Sequence, residues 1–264
     1  MGRVVALFGF AIALALAPAA QAQDKIGVVL LHGKQTPAPT AAGLGVISSS
    51  LEGKGAVVVV PSMAWGAGWQ TINITVEDAF AQIDGYVAQL RAKGASRIVV
   101  GGHSLGANVA LSYAVNRGNV AGVVMAAAGH NPRYSYSSNE TIRKDIDRAA
   151  ELVKAGQGGQ SFTGRDSNQG SNITMTTTAA VYLSWMNSRG LASMQVQAPN
   201  LPASVPILVV MGEKDPGIGF VESQIYKPAA KNPYSKYLTN GANHVQTAEA
   251  SSKQIVDWIV GLPK

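Results

Sequence analysis

Short apolar segments recur along the chain, separated by longer stretches in which apolar residues return every three or four positions. Ile26 to Leu31, Ala56 to Val60, Arg97 to Gly101, Val120 to Ala126, Ile207 to Met211 and Tyr234 to Leu238 are predicted as strands. Runs this short, without polar alternation, suit strands buried on both faces. Between them, Val76, Phe80, Ile83, Val87 and Leu90 mark one face of a helix predicted over 76–93 and stopped by Gly94. Further helices are predicted over Pro39 to Glu52, closed by Gly53 and Gly55, and over Ala107 to Arg117 and Thr247 to Val260. Strands alternating with helices predict an α/β fold: a mostly parallel, twisted sheet of about six strands with helices on both faces.

The rhythm fails between about residues 130 and 205. A charged helix is predicted over Thr141 to Ala155, followed by a segment from Gly156 to Thr178 rich in Gly, Gln, Ser, Asn and Thr. A shorter helix carrying Tyr182, Leu183 and Trp185 comes next. Connections between strands rarely need this length, so the insert is expected to lie over the strand ends as a cap.

The first 22 residues read as a leader and not as part of the fold. Arg3 supplies a positive start, Val4 to Leu16 an apolar stretch too short to cross a bilayer, and Ala20-Gln21-Ala22 the small residues of a cleavage site. Cleavage near Ala22 would leave a single domain over 23–264, periplasmic or secreted, with no stable membrane insertion. The chain has no cysteine, which excludes disulfides, a thiolate nucleophile and thiolate metal ligands. Lys and Arg number 21 against 15 Asp and Glu, a net charge of +6, but they are scattered. Nucleic-acid binding needs a clustered basic footprint, so no nucleic-acid partner is expected. No histidine–carboxylate cluster has metal-ligand spacing and no phosphate-binding glycine loop is present, so neither metal nor cofactor is expected.

The candidate chemistry begins at Gly102-His103-Ser104-Leu105-Gly106, which follows Ile98-Val99-Val100 and precedes a predicted helix. Gly-x-Ser-x-Gly between strand and helix presents the serine on a sharp turn above the sheet edge, and the glycines keep that turn clear. A serine hydroxyl needs a base within reach and an acid to orient the base. Four histidines are available. His103 should point away from its neighbour, and His32 and His130 follow other strands. His244 lies between the last strand and the last helix, where a parallel sheet gathers its site, and is the candidate base. Asp215 is the favoured acid, stiffened by Pro216, although Glu213 in the same loop could also reach. The order Ser104, Asp215, His244 suits this chemistry on a parallel sheet.

Together with Leu31-His32-Gly33 after the first strand and Asn243-His244 near the end, these motifs resemble the α/β-hydrolase superfamily, in its minimal six-stranded, serine esterase-like form. The resemblance runs from Ile26 to Leu262. It implies an oxyanion hole of backbone N–H groups from Leu105 and from the residue after His32-Gly33, which is Lys34 or Gln35. The lipase-type glycines that usually follow are absent, so the second donor stays open between those two. Trp65, Tyr134 and Trp185 are candidate substrate contacts, with Trp69, Tyr136 and Tyr182 as further aromatics near the expected mouth. The implied activity is hydrolysis of a small-molecule carboxylic ester through an acyl-enzyme. Thioester or amide cleavage, or acyl transfer, would use the same triad, and a binding protein could share the scaffold without catalysis.

Overall fold

The computed structural model describes residue 2, residues 24–36 and residues 38–263. Apart from Gly2, the leader read over residues 1–22 lies outside the described residues. The chain runs β1 (Lys25–Leu31), α1 (Leu44–Gly53), β2 (Val57–Val59), α2 (Val76–Ala92), β3 (Ala95–His103), α3 (Leu105–Arg117) and β4 (Gly122–Ala126). An insert follows, with α4 (Pro132–Ser138), α5 (Glu140–Lys154), β5 (Ser161–Asn168), β6 (Ser171–Thr178) and α6 (Ala179–Met186). β7 (Ile207–Gly212) and β8 (Lys236–Asn240) complete the sheet, and a helix over Ser252–Val260 closes the chain.

The six sheet strands lie in the order β2-β1-β3-β4-β7-β8, every pair parallel. Alternation along β1 explains the layers. Val28 and Leu30 pack with Leu44, Ile47 and Leu51 of α1 and with Ile255 and Ile259 of the C-terminal helix. Val29 and Leu31 face the opposite layer, with Phe80 and Ile83 of α2 and Val109 and Leu111 of α3. Strands clamped between two apolar layers cannot alternate with polar residues, which is why they appear as continuous apolar runs. The chain builds outward from β1 to β2 and then returns to β3 on the other side, so a crevice opens at the C-terminal ends of β1 and β3.

Several expected boundaries shift. The first helix begins at Leu44, not Pro39, and the last strand spans Lys236–Asn240, two residues later than its apolar pattern suggested. The closing helix is broken into Thr247–Ala250 and Ser252–Val260. The polar segment after α5, for which no regular structure was expected, is an antiparallel hairpin of β5 and β6 pairing Ser161 with Thr178 through Asn168 with Ser171. Its two-residue turn, Gln169-Gly170, has φ of 50° and 80°, the left-handed pair that a tight hairpin requires. Phe162 and Asp166 of β5 and Ile173 and Met175 of β6 are buried, while Thr163, Arg165, Asn172, Thr174 and Thr176 beside them are exposed. No helix among the described residues is long and apolar enough to cross a membrane.

Candidate active site

β3 delivers Ser104 into a backbone conformation that L residues seldom adopt, φ 57° and ψ −119°, immediately before α3. Two backbone hydrogen bonds hold it there: Ser104 N–H donates to the Ala126 carbonyl at 3.0 Å, and Gly129 N–H donates to the Ser104 carbonyl at 3.2 Å. The flanking glycines are required by contact. A Cβ on Gly102 would sit 2.3 Å from the Leu31 carbonyl oxygen, and one on Gly106 only 2.1 Å from the same atom. The elbow therefore closes directly against the end of β1.

His244 reaches the serine from the loop after β8, backed by Asp215 from the loop after β7. Ser104 Oγ lies 2.9 Å from His244 Nε2, and His244 Nδ1 lies 2.7 Å from Asp215 Oδ2. The second Asp215 oxygen accepts from Gly217 N–H at 2.8 Å, which fixes the carboxylate plane. Glu213 and Lys214 N–H groups donate to the Asn240 and Ala242 carbonyls, tying the acid's loop to the base's loop. All three side chains belong to buried residues, whereas Glu213 is exposed. The structure thus brings together Ser104, Asp215 and His244, and leaves Glu213 in solvent.

The other histidines have separate work. His103 points away from Ser104 and its Nε2–H donates to the His244 carbonyl at 2.8 Å. Burial is the main cause that lowers its pKa, to about 4, so it is neutral. His32 donates from Nδ1 to the Gly33 carbonyl and accepts from Met63 N–H at Nε2, and burial lowers its pKa as well. His130 is partly buried, its pKa lowered to about 4 by burial first and then by the Lys34 charge. Its Nε2–H donates to the Trp185 carbonyl at 2.9 Å, which leaves Nδ1 as an acceptor.

Of the two residues proposed after Gly33, Gln35 uses its N–H on the Trp65 carbonyl at 3.0 Å, which removes it as an oxyanion donor. Lys34 lines the same small cleft as Ser104 and His244, about 200 Å³ in volume, with Gly33, Ala41 and Val245. Leu105 is the first residue of α3, where the N–H has no partner inside the helix and the dipole is positive. A larger cleft of about 510 Å³ opens past His244 and Asp215, walled by Gly129, Asn131, Tyr134, Ser167 and Phe220. Gln169 at the tip of the β5–β6 hairpin lines both clefts, so the hairpin overhangs the serine.

The aromatic contacts need correction. Tyr134 is 66% exposed and does line the larger cleft. Trp65 and Trp185 are fully buried and wall neither cleft at Ser104. They pack edge to face with 5.8 Å between centroids, and their indole N–H groups donate to the His32 and Ile74 carbonyls. An indole satisfied by a backbone carbonyl can sit in a core without loss, and that is their role here.

Sequence reasoning did not single out Asn108, Gly129 or Asp166. Asn108 of α3 donates to the His130 and Ala192 carbonyls, securing the base of the insert. A Cβ on Gly129 would lie 2.7 Å from Ser104 Oγ, so this glycine keeps the flank of the hydroxyl open. Asp166 sits on the hairpin and reaches back to Lys34. Neither the Asn108 nor the Asp166 contact has a local signature, because each partner is distant in sequence. Among the described residues, no group of histidines and carboxylates could hold a metal.

A parallel sheet with a strained serine after β3, an acid after β7 and a histidine after β8 is the architecture of a hydrolase of the α/β type. Residues 28–257 match the family model described as the alpha/beta hydrolase family, and the chain belongs to that family. Solved structures agree on the fold. The chain is similar to a monoacylglycerol lipase from Paleococcus ferrophilus, with 22% identity, a TM-score of 0.62, and 90% of this chain and 95% of that one covered. A highly thermostable carboxyl esterase from Bacillus coagulans gives 15% identity and a TM-score of 0.60, with 91% of each chain covered. The thioesterase domain from the curacin biosynthetic pathway gives 13% identity and a TM-score of 0.54, covering 92% of this chain and 93% of that one. No curated protein matches the sequence.

Proposed function

We propose that this chain is an exported serine hydrolase that cleaves carboxylic esters of small molecules. One observation carries the reading: the unbroken hydrogen-bond line from Ser104 Oγ through His244 to Asp215, at 2.9 and 2.7 Å. His244 takes the serine proton as Oγ attacks the ester carbonyl, then returns it to the leaving alkoxide. Asp215 holds the Nδ1–H tautomer and stabilises the imidazolium. The Leu105 and Lys34 N–H groups receive the oxyanion, and each such donor is worth about 3 kcal/mol of barrier. Water, activated by the same histidine, clears the acyl-enzyme.

The mouth of the larger cleft favours small or polar esters. Asn131, Arg133, Tyr134, Ser137, Gln195 and Gln224 line its outer extension. Export rests on the leader, and would place the mature domain in the periplasm or medium. Thioester substrates remain within reach of the same triad; the pocket chooses the leaving group. A binding protein has no use for three buried residues held in this line, which favours catalysis.

The test is labelling of the chain from Gln23 by a fluorophosphonate, beside Ser104→Ala, His244→Ala and Asp215→Asn. Labelling lost in Ser104→Ala and sharply reduced in His244→Ala is expected, followed by turnover of p-nitrophenyl esters. A folded parent that takes up no probe would overturn the reading.

A further inference from the structure

Among the buried ionic groups that the nucleophile, acid and base leave unused, one pair lies against the same site. Lys34 and Asp166 form an ion pair whose side chains are each 2% exposed. The Lys34 ammonium also donates to the Ser167 carbonyl at 3.2 Å and to His130 Nδ1 at 3.3 Å, and it lies 4.9 Å from the centre of the Trp69 ring. The Asp166 oxygen that receives Lys34 also accepts from Trp69 Nε1–H at 3.0 Å. Burial alone would raise the Asp166 pKa, but the charge of Lys34 and the hydrogen bond from its ammonium hold it below the ordinary carboxylate value.

The pair joins two parts of the fold that the chain separates by 132 positions. Asp166 belongs to β5, three residues before the hairpin tip over Ser104, and Lys34 belongs to the turn after β1. A second bond repeats the link one position along: Asn168 Nδ2–H donates to Gln35 Oε1 at 3.0 Å. Gln35 itself is held at φ 55° with its N–H on Trp65. The turn that carries the Lys34 N–H is therefore fixed by the loop after β2 on one side and by the cap on the other. Stability does not explain the ion pair, because buried pairs are often replaced by apolar side chains of similar volume without loss.

We propose that Asp166 is a positioning residue for the reaction: by gripping the Lys34 side chain it sets the Lys34 backbone N–H in the oxyanion hole, so that this donor is in place only while the β5–β6 hairpin is seated. The inference rests on the proposed hydrolase reading. It assigns the cap a share in building the hole as well as in covering the serine.

Two variants test it, measured by fluorophosphonate labelling, p-nitrophenyl ester kinetics, phenylboronic acid inhibition and thermal melting. Lys34→Met/Asp166→Leu replaces the pair with apolar side chains. Asp166→Asn keeps the shape and one acceptor oxygen but removes the charge. The double variant should melt near the parent while kcat falls about 30- to 100-fold, much of the cost of losing one oxyanion donor, with KM within about threefold. Boronate binding, which builds a tetrahedral adduct on Ser104, should weaken by a similar factor. Asp166→Asn should fall in between, about 5- to 10-fold on both readouts. A folded double variant with parental kcat, or one whose kcat falls while boronate binding is unchanged, overturns the proposal. Should the double variant not fold, Asp166→Asn decides alone, and parental values in both readouts would overturn it. A parent that takes up no fluorophosphonate overturns the hydrolase reading instead, which keeps the two failures apart.

Discussion

His103 Nε2–H donates to the backbone carbonyl of His244 at 2.8 Å, so the residue beside Ser104 holds the main chain of His244. The two rings lie 5.0 Å apart at their centroids, edge to face. His103→Phe should leave that carbonyl unpaired in a buried place, costing about 1–3 kcal/mol. Both melting temperature and the rate of fluorophosphonate labelling should fall, whereas His103→Gln, which can still donate, should lose less of each. Equal labelling rates in all three proteins would show that the bond does not position His244.

Asp215 and Glu213 are two residues apart but differ in burial and partner. Asp215→Asn should lower kcat by about 10³- to 10⁴-fold, through loss of the tautomer that its carboxylate selects. Glu213→Gln should leave ester hydrolysis unchanged. Steady-state kinetics on one p-nitrophenyl ester decides, and a reversed pattern would move the acid to Glu213.

The elbow glycines make a structural prediction. Gly106→Ala places a methyl group 2.1 Å from the Leu31 carbonyl oxygen, an approach no side-chain rotation can relieve. A loss of about 3 kcal/mol or more in urea unfolding is expected. Gly219→Ala, where nothing lies within 4 Å, is the control and should stay within about 0.5 kcal/mol.

Acid should destabilise the fold well above the carboxylate range. His103 and His130 have pKa values lowered to about 4, and that of His32 is also lowered. Between pH 6.5 and 4 the unfolded chain binds protons that the folded chain refuses, so stability falls as pH falls. For His103 and His130 the loss at the bottom of that window is on the order of 3 kcal/mol each. Asp166, held below its ordinary value, withdraws its contribution only at lower pH, in the same direction. Urea midpoints should drop from pH 7 to pH 5, and His130→Gln should flatten the slope. A midpoint independent of pH across this window would contradict the buried neutral assignment.

Trp185 and Tyr134 separate packing from substrate contact. Trp185→Ala should cost about 3–5 kcal/mol of stability, because the indole is fully buried. Tyr134→Ala, at an exposed cleft wall, should stay within about 0.5 kcal/mol and change KM instead. Comparing unfolding with ester kinetics checks both at once.

The sequence by itself determined the parallel sheet and the alternation of strands and helices that builds it. Strands buried on both faces must be apolar throughout, so β1, β3, β4 and β7 are visible as runs, and Gly102 and Gly106 mark the elbow because no larger residue fits against Leu31. Only the tertiary structure decided the rest. The β5–β6 hairpin hides in a polar segment because one of its inward positions is Asp166, whose burial is made tolerable by Lys34 and Trp69, both distant from it in sequence. Trp65 and Trp185 look like pocket aromatics until the fold supplies carbonyls for their N–H groups. That the Gln35 N–H is already engaged likewise waited on the fold, which brings the Trp65 carbonyl to it. Local patterns encode which residues face a core; long-range pairing decides which buried polar groups find partners, and that is settled only when the chain has folded.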